Sequence, residues 1–192
     1  MLRLPGRELV TKPWYQTVMR QLLLMRHAKA VRDPGLSDHA RSLTQRGRDD
    51  AVRVARFLQN NKLVPDLAIA SDARRTRETL ELAAGQFVPA PTTRLDASLY
   101  LAEPYAILKA IRATPATVSK LLIVGHNPGV HELAIALMGR GQQADVERLA
   151  LSFPTAAVAV IGLDCEWSAV AELAGRLERL LIAKSLRGEQ DL

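Results

Sequence analysis

Three short segments of the chain carry side chains that could bind and transfer a phosphoryl group. Arg26 and His27 directly follow one apolar run. Arg75 comes shortly after a second run, and His126 comes shortly after a third. Arginine presents a planar fork of donors that suits phosphate oxygens, and histidine can be a nucleophile or a proton carrier near neutral pH. Fixed cations beside a phosphoryl group in transfer lower the barrier, so these residues could act without a metal ion.

The apolar runs that precede these residues are typical of buried strands. They cover residues 22–25, 67–70 and 120–124. Helical periodicity lies between them, over residues 44–60 with Thr44 as the N-cap, and over residues 73–84 with Gly85 as the stop. Ligands of open α/β sheets bind beyond the carboxyl ends of the strands. We therefore expect the three segments to meet at one edge of a sheet.

The remaining pattern also alternates between strands and helices. It predicts strands over residues 90–95 and 156–163 and helices over residues 104–113 and 130–138. Residues 168–184 favour a helix because their leucines recur at roughly helical spacing, and a strand with an irregular tail is the alternative. The fold class predicted from this alternation is α/β, with a mostly parallel sheet covered on both faces.

Composition excludes several classes of protein. The chain has 192 residues, of which 48% are hydrophobic and 24% charged, which is close to globular averages and excludes wholesale disorder. No apolar run approaches the roughly 18 residues of a membrane span. The single cysteine, Cys165, excludes a disulfide framework and a cysteine-rich zinc site and fits a reducing cytosol, so a cytoplasmic location is expected.

Positive charge is concentrated in the first third of the chain. Residues 1–62 contain 13 Lys and Arg against 5 Asp and Glu, whereas the net charge of the whole chain is only +6. This excess could attract an anionic substrate or partner, or it could form a solvated basic face. Nucleic acid is not the expected partner, because aromatic residues make up only 4% and no nucleic-acid motif is present.

Residues 1–19 are interpreted as an N-terminal extension that is poorly ordered, and residues 20–192 as a single domain. The extension contains Pro5, Gly6 and Pro13 and shows no sustained periodicity. It lacks the apolar stretch of a secretory signal and is poor in serine for a transit peptide. Translation from Met19 is an open alternative.

The same three segments resemble the motifs of the histidine phosphatase superfamily. Residues 24–28 (Leu-Met-Arg-His-Ala) resemble its Arg-His-Gly signature, residues 71–79 (Ser-Asp-Ala-Arg-Arg-Thr-Arg-Glu-Thr) its second motif, and residues 124–129 (Val-Gly-His-Asn-Pro-Gly) its second histidine motif. The short length and the stretch over residues 38–47 are similar to the SixA-type phosphohistidine phosphatases. The resemblance covers about residues 21–163 and implies a three-layer α/β/α sandwich, phosphoglycerate-mutase-like, with a mostly parallel central sheet.

The resemblance also implies roles for the matched residues and no cofactor or metal. His27 would be the nucleophile and form a transient phosphohistidine. Arg26 and Arg75 would clamp phosphate oxygens, His126 would donate to the same phosphate, and water would release inorganic phosphate. Arg41 would either reach the phosphate or cap a loop.

The sequence departs from the family pattern at three points. Ala28 replaces the glycine after the histidine, and its methyl group could alter the pocket. Asp72 replaces a common proline and could bring a carboxylate to the rim. No general acid is identified, and Glu103 is the nearest candidate. An imidazole, with a conjugate-acid pKa of about 6.5, leaves readily without such an acid, whereas an alkoxide does not. The expected substrate is therefore phosphohistidine on a signalling or phosphotransfer protein, or another activated phosphate.

Two alternatives remain open from the sequence. One is a phosphatase for a small phosphate ester, with Glu103 or another carboxylate as the acid, and the other is a phosphoprotein-binding module without turnover. A mutase is disfavoured by the short chain. Several other polar residues are interpreted as structural or surface positions: Arg74, His39 in a loop, His131 on a solvated helix face, and an inert Cys165.

Overall fold

The computed structural model describes residues 19–187 of the chain, which contain seven strands and five α-helices. All but the last residue of the predicted N-terminal extension lies outside the described residues, and the single-domain assignment stays a prediction. In chain order the elements are β1 (Arg20–Arg26), α1 (Gln45–Asn60), β2 (Leu67–Ala70), α2 (Arg74–Ala84), β3 (Thr92–Leu95), α3 (Pro104–Arg112), β4 (Lys120–Gly125), α4 (Gly129–Leu137), β5 (Met138–Gly141), α5 (Gln143–Leu151), β6 (Val158–Leu163) and β7 (Gly175–Leu181).

The strands form one mixed sheet in the order β3-β2-β4-β1-β6-β7-β5. Strands β3, β2, β4 and β1 are mutually parallel, and β5 is parallel to β7. Strand β6 runs antiparallel to both of its neighbours, β1 and β7. The parallel half matches the predicted sheet and aligns the carboxyl ends of β1, β2 and β4 at one edge.

Both faces of the sheet are covered, which explains the uninterrupted apolar run in β1. Leu22 and Leu24 pack into one hydrophobic cluster with α3, α4 and α5. Leu23 and Met25 face the other way, into a cluster with α1 and α2. Because successive side chains of a strand point to opposite faces, a strand covered on both sides is apolar at every position. The fold is therefore the three-layer α/β/α sandwich that was expected.

The helix predicted over residues 168–184 is wrong, because that segment contains the strand β7. The leucine spacing that favoured a helix has a structural cause. The register of the β6–β7 pairing shifts between Val160 and Ile161. Val160 pairs with Arg179 and Ile161 with Leu177, so Glu178 is an extra residue in β7. Leu177 and Leu180 consequently reach the same hydrophobic cluster although they are three residues apart.

Two elements, β5 and α5, lie where the sequence pattern predicted no regular structure. The predicted helix over residues 130–138 ends one residue early, and β5 begins at Met138. Helix α5 buries only Leu149, so its apolar periodicity is weak. Within residues 19–187, no helix is long and apolar enough to cross a membrane.

Candidate active site

The parallel strands bring the two motif histidines together. His27 follows β1 and His126 follows β4, and these two strands are hydrogen-bonded neighbours. The centroids of the two imidazole rings are 5.3 Å apart. Ser71 follows β2 on the other side of β4, and its hydroxyl lies 2.6 Å from His126 Nε2. The sheet edge therefore assembles the three motifs, as the strand directions predicted.

His27 is held in one tautomer by the main chain. Its Nδ1 lies 2.7 Å from the Ala28 carbonyl oxygen, which can only accept, so Nδ1 carries the proton. Its Nε2 accepts a hydrogen bond of 3.2 Å from Arg75 Nε and therefore keeps its lone pair. Burial lowers the pKa of His27 to about 4, and the charges of Arg75 and Arg26 act in the same direction. The ring is thus neutral near pH 7 with a nucleophilic nitrogen available.

Arg75, in the first turn of α2, connects the two histidines. Its side chain is 1% exposed, and its guanidinium donates to His27 through Nε and to His126 Nδ1 through Nη2 at 3.0 Å. The remaining contacts go to Asp38, with 2.6 Å to the carbonyl oxygen and 2.8 Å to Oδ2. A buried cation with this fork of donors is well placed to hold an anion against both rings.

His126 has the opposite tautomer to His27. Because its Nδ1 accepts from Arg75, its proton is on Nε2 and is donated to Ser71 Oγ. Ser71 in turn lies 2.8 Å from Thr76 Oγ1, whose own hydroxyl donates to main-chain carbonyls at the start of α2. Burial, followed by the charge of Arg75, lowers the pKa of His126 to about 3. His126 is therefore also neutral near pH 7.

Arg26, the last residue of β1, has spare donor capacity. Its Nη1 donates to the Phe153 carbonyl at 3.0 Å, whereas its buried Nε has no hydrogen-bond partner among the described residues. Burial and the charge of Arg75 lower the pKa of Arg26. Buried donors are normally satisfied, so an unpaired guanidinium nitrogen beside His27 is consistent with a site for an anion.

Sequence reasoning did not identify Asp38 and Tyr100 as parts of this site. Asp38 opens a short 3-10 helix, Asp38–Ala40, and its carboxylate accepts from Arg75, from Arg41 and from the Tyr100 hydroxyl at 2.8 Å. Burial raises its pKa, but the hydrogen bonds from Tyr100 and Arg75 outweigh this and lower the pKa of Asp38 to about 2. Asp38 is therefore an anion that orients Arg75 and has no proton to give near pH 7.

The residues singled out at the rim are distributed as follows. Arg41 pairs with Asp38. Asp72 reaches the rim and binds His39 at 3.0 Å, and the His39 ring lies edge-on to Tyr100 with centroids 4.9 Å apart. Glu103 is an exposed residue at the start of α3, and no hydrogen bond or ion pair within residues 19–187 connects it to the two histidines or to Arg75.

Three other predicted surface or inert positions were also located. Arg74 is on the surface, with a side chain 52% exposed and paired with Glu78. His131 is half-buried and donates to the Leu149 carbonyl at 2.6 Å, so its predicted solvated face is wrong. The pKa of Cys165 is raised by burial and by neighbouring carboxylates, which keeps it as a thiol near neutral pH.

The arrangement can bind a phosphate group, attack it and balance its charge. Neutral His27 supplies a nucleophile, and Arg75 and Arg26 supply positive charge beside it. Within residues 19–187, no three His, Cys, Asp or Glu side chains are placed to hold a metal ion.

Comparison with known proteins places these features in a family. Residues 22–99 match the model of the histidine phosphatase superfamily (branch 1). The uncharacterized protein Rv1276c of Mycobacterium tuberculosis is 36% identical over 148 residues, which are 76% of this chain and 91% of the relative.

Solved structures show the same fold. The SixA protein of Nakamurella multipartitia is 27% identical with a TM-score of 0.76 and covers 85% of this chain and 96% of its own. The SixA protein of Agrobacterium tumefaciens is also 27% identical, with a TM-score of 0.72 over 85% and 97% of the two chains. For both proteins, phosphohistidine phosphatase is a proposed activity.

Proposed function

Because the chain belongs to the histidine phosphatase superfamily, we propose that it is a metal-independent phosphatase. His27 would carry a transient phosphohistidine during the reaction. The substrate would be a phosphohistidine in a signalling or phosphotransfer protein. The observation that carries this proposal is the tautomer of His27. Its proton is fixed on Nδ1 by the Ala28 carbonyl, and its unprotonated Nε2 accepts from the Arg75 guanidinium that would hold the substrate. An unprotonated and oriented ring nitrogen is what nucleophilic attack on phosphorus requires.

In the first step, His27 Nε2 attacks phosphorus and displaces the leaving group. Arg75 and Arg26, whose charges lie close to His27, would contact the oxygens on which negative charge accumulates. A bound phosphate dianion would favour protonation of His126 Nδ1, because its negative charge would raise the lowered pKa of His126. His126 would then donate to the phosphate from Nδ1 while Nε2 stays bonded to Ser71. Water finally attacks the phosphohistidine and releases inorganic phosphate.

The absence of an acid beside the centre supports a good leaving group. Asp38 is the carboxylate that contacts Arg75, and its lowered pKa keeps it ionised. Glu103 makes no hydrogen bond or ion pair to this centre in the part of the chain described. An alcohol would have to leave as an alkoxide, whereas the imidazole of phosphohistidine has a conjugate acid with a pKa of about 6.5. This chemistry favours an N–P substrate over an alkyl phosphate, which is the alternative from the sequence.

The test is phosphate release from a histidine-phosphorylated phosphotransfer domain in the presence of EDTA. The wild type should release phosphate, and His27→Ala should lose at least about a thousandfold in rate while it still binds phosphate. His131→Ala is the matched control, because it removes a half-buried histidine whose partner is Leu149. Release by His27→Ala at the wild-type rate would refute the nucleophile. No release by the wild type, together with rapid hydrolysis of an alkyl phosphate, would refute the substrate class.

A further inference from the structure

Cations make up most of the lining of a cleft that includes His27. It has a volume of about 460 Å³ and opens next to His27. Its charged lining consists of Arg26, Lys29, Arg32, Arg41 and Arg46. Among residues 19–187, no carboxylate contributes to the lining, whose other three residues are His27, Ala30 and Thr155. A volume of this size is in the range of small-molecule sites, which run from about 300 to 1,000 Å³.

The charges in this cleft are only partly neutralised. Arg41 pairs with Asp38, and Arg46 lies 3.8 Å from the carboxylate of Asp50. Within residues 19–187, Lys29 and Arg32 make no ion pair with any carboxylate. Like charges that converge in a concave site repel one another and raise the local concentration of anions. The cleft is therefore suited to a ligand with several negative charges in a small space.

The lining favours a chain of phosphates over the acidic surface of a protein. Cores of protein interfaces are rich in aromatic and other apolar side chains and poor in lysine. In the part of the chain that the structure describes, Ala30 is the one apolar residue of the lining. Arginine and lysine at successive positions along a cleft can instead contact the oxygens of consecutive phosphates.

The chemistry of the centre is compatible with such a ligand. A phosphate leaving group has a pKa of about 6 and departs as an anion near neutral pH without a general acid. Asp38, which has no proton to give, is therefore no obstacle to cleavage of a phosphoanhydride. The requirement that favoured phosphohistidine, a leaving group that needs no general acid from the protein, is met equally by a P–O–P bond.

We propose that this cleft holds a phosphate chain and that the enzyme also removes the terminal phosphate of a linear phosphoanhydride. The inference rests on the proposed role of His27. His27 Nε2 forms a bond to the terminal phosphorus, and the bond between that phosphorus and the bridging oxygen breaks. The shortened chain keeps this oxygen and leaves as an anion in the cleft. One water then hydrolyses the phosphohistidine to inorganic phosphate, the imidazole returns to its neutral form, and one proton passes to solvent.

The experiment compares inorganic tripolyphosphate with phosphoramidate, which has an N–P bond and no phosphate chain, both in EDTA. The variant Lys29→Gln/Arg32→Gln should raise KM for tripolyphosphate about tenfold or more and change kcat/KM for phosphoramidate less than twofold. Lys109→Gln/Lys184→Gln is the control, because it removes the same charge from exposed residues outside the cleft lining. It should leave both substrates unaffected.

Three results would overturn the inference. The first is phosphoramidate hydrolysis without tripolyphosphate hydrolysis, which would leave the proposed function intact. The second is an equal effect of the cleft variant on both substrates. The third is a cleft variant that turns over tripolyphosphate normally and a histidine-phosphorylated protein poorly. This result would assign the cleft to an acidic protein surface. Tripolyphosphate hydrolysis without any N–P hydrolysis would instead support the cleft and refute the phosphohistidine substrate.

Discussion

The two central histidines should remain neutral far below the pH at which histidine normally titrates. Burial lowers the pKa of His27 to about 4 and that of His126 to about 3. At pH 5.5 a group with a pKa of about 4 is about 97% neutral, whereas one with a pKa of about 6.5 is only about 9% neutral. The nucleophile should therefore keep about tenfold more of its reactive form at pH 5.5 than an ordinary histidine would.

Titration of the histidine side chains by NMR tests this directly. Spectra of His27→Ala and His126→Ala assign the two resonances, and a peptide of residues 24–30 supplies the unperturbed titration near pH 6.5. Nitrogen shifts should show the proton on Nδ1 in His27 and on Nε2 in His126, as their hydrogen bonds require. A titration midpoint above pH 6 for either ring, or the reverse tautomer in His27, would refute the reasoning.

The same shifts make stability depend on pH with a definite sign. Both pKa values are lower in the folded than in the unfolded state, so the unfolded chain binds more protons as the pH falls below 6.5. The stabilisation is complete above that value and is lost as the pH falls towards 4. Between pH 7.5 and 5.5, each histidine should lower the free energy of unfolding by about 1 kcal/mol. Urea unfolding should show a smaller pH dependence of the free energy of unfolding in His126→Ala than in the wild type.

Two substitutions test how the site is supported. Ser71→Ala removes the acceptor of the buried His126 Nε2–H. It should lower the free energy of unfolding by about 1–3 kcal/mol and reduce kcat/KM. Unchanged values in urea unfolding and in the phosphatase assay would contradict the assigned hydrogen bonds. Gly47→Ala should destabilise the protein by about 1–3 kcal/mol, because the added Cβ would clash with the Lys29 carbonyl. Gly85→Ala is the control, since a Cβ there would lie at an ordinary 3.5 Å from the nearest atom and should not destabilise the protein. Equal losses of unfolding free energy in the two variants would show that the clash is not the cause.

The parallel half of the fold could be predicted because its sequence signals are local. Strand β2 has the predicted bounds, and Thr44 caps α1 by accepting from the Gly47 amide as expected. The antiparallel half depends on pairing between distant residues. The register shift between β6 and β7 gives Leu177 and Leu180 a spacing that is indistinguishable from a helical one until the partner strand is known.

The candidate site was predictable as far as its residues lie in motif segments at or shortly after strand ends. His27, Arg75 and His126 lie within the motif segments, and the sheet brings them together. Asp38 opens a short 3-10 helix and Tyr100 lies in a turn, and the two residues are 62 positions apart in sequence. The Asp38…Arg41 spacing was a usable signal, because a carboxylate and a guanidinium three residues apart can pair within one turn. Nothing in the sequence indicated that Asp38 would bind Arg75.

The main chain at Ala28 explains why a methyl group is tolerated where the family signature has glycine. The Ala28 side chain is fully buried in the hydrophobic cluster beneath α1 and α2, and it is not part of the cleft lining. Its carbonyl fixes the His27 tautomer, and its amide donates to Thr79 Oγ1 at 3.1 Å. Thr79 in turn donates to the Arg75 carbonyl at 2.6 Å. The nucleophile and the arginine are thus positioned through main-chain groups that any residue small enough for the cluster can supply.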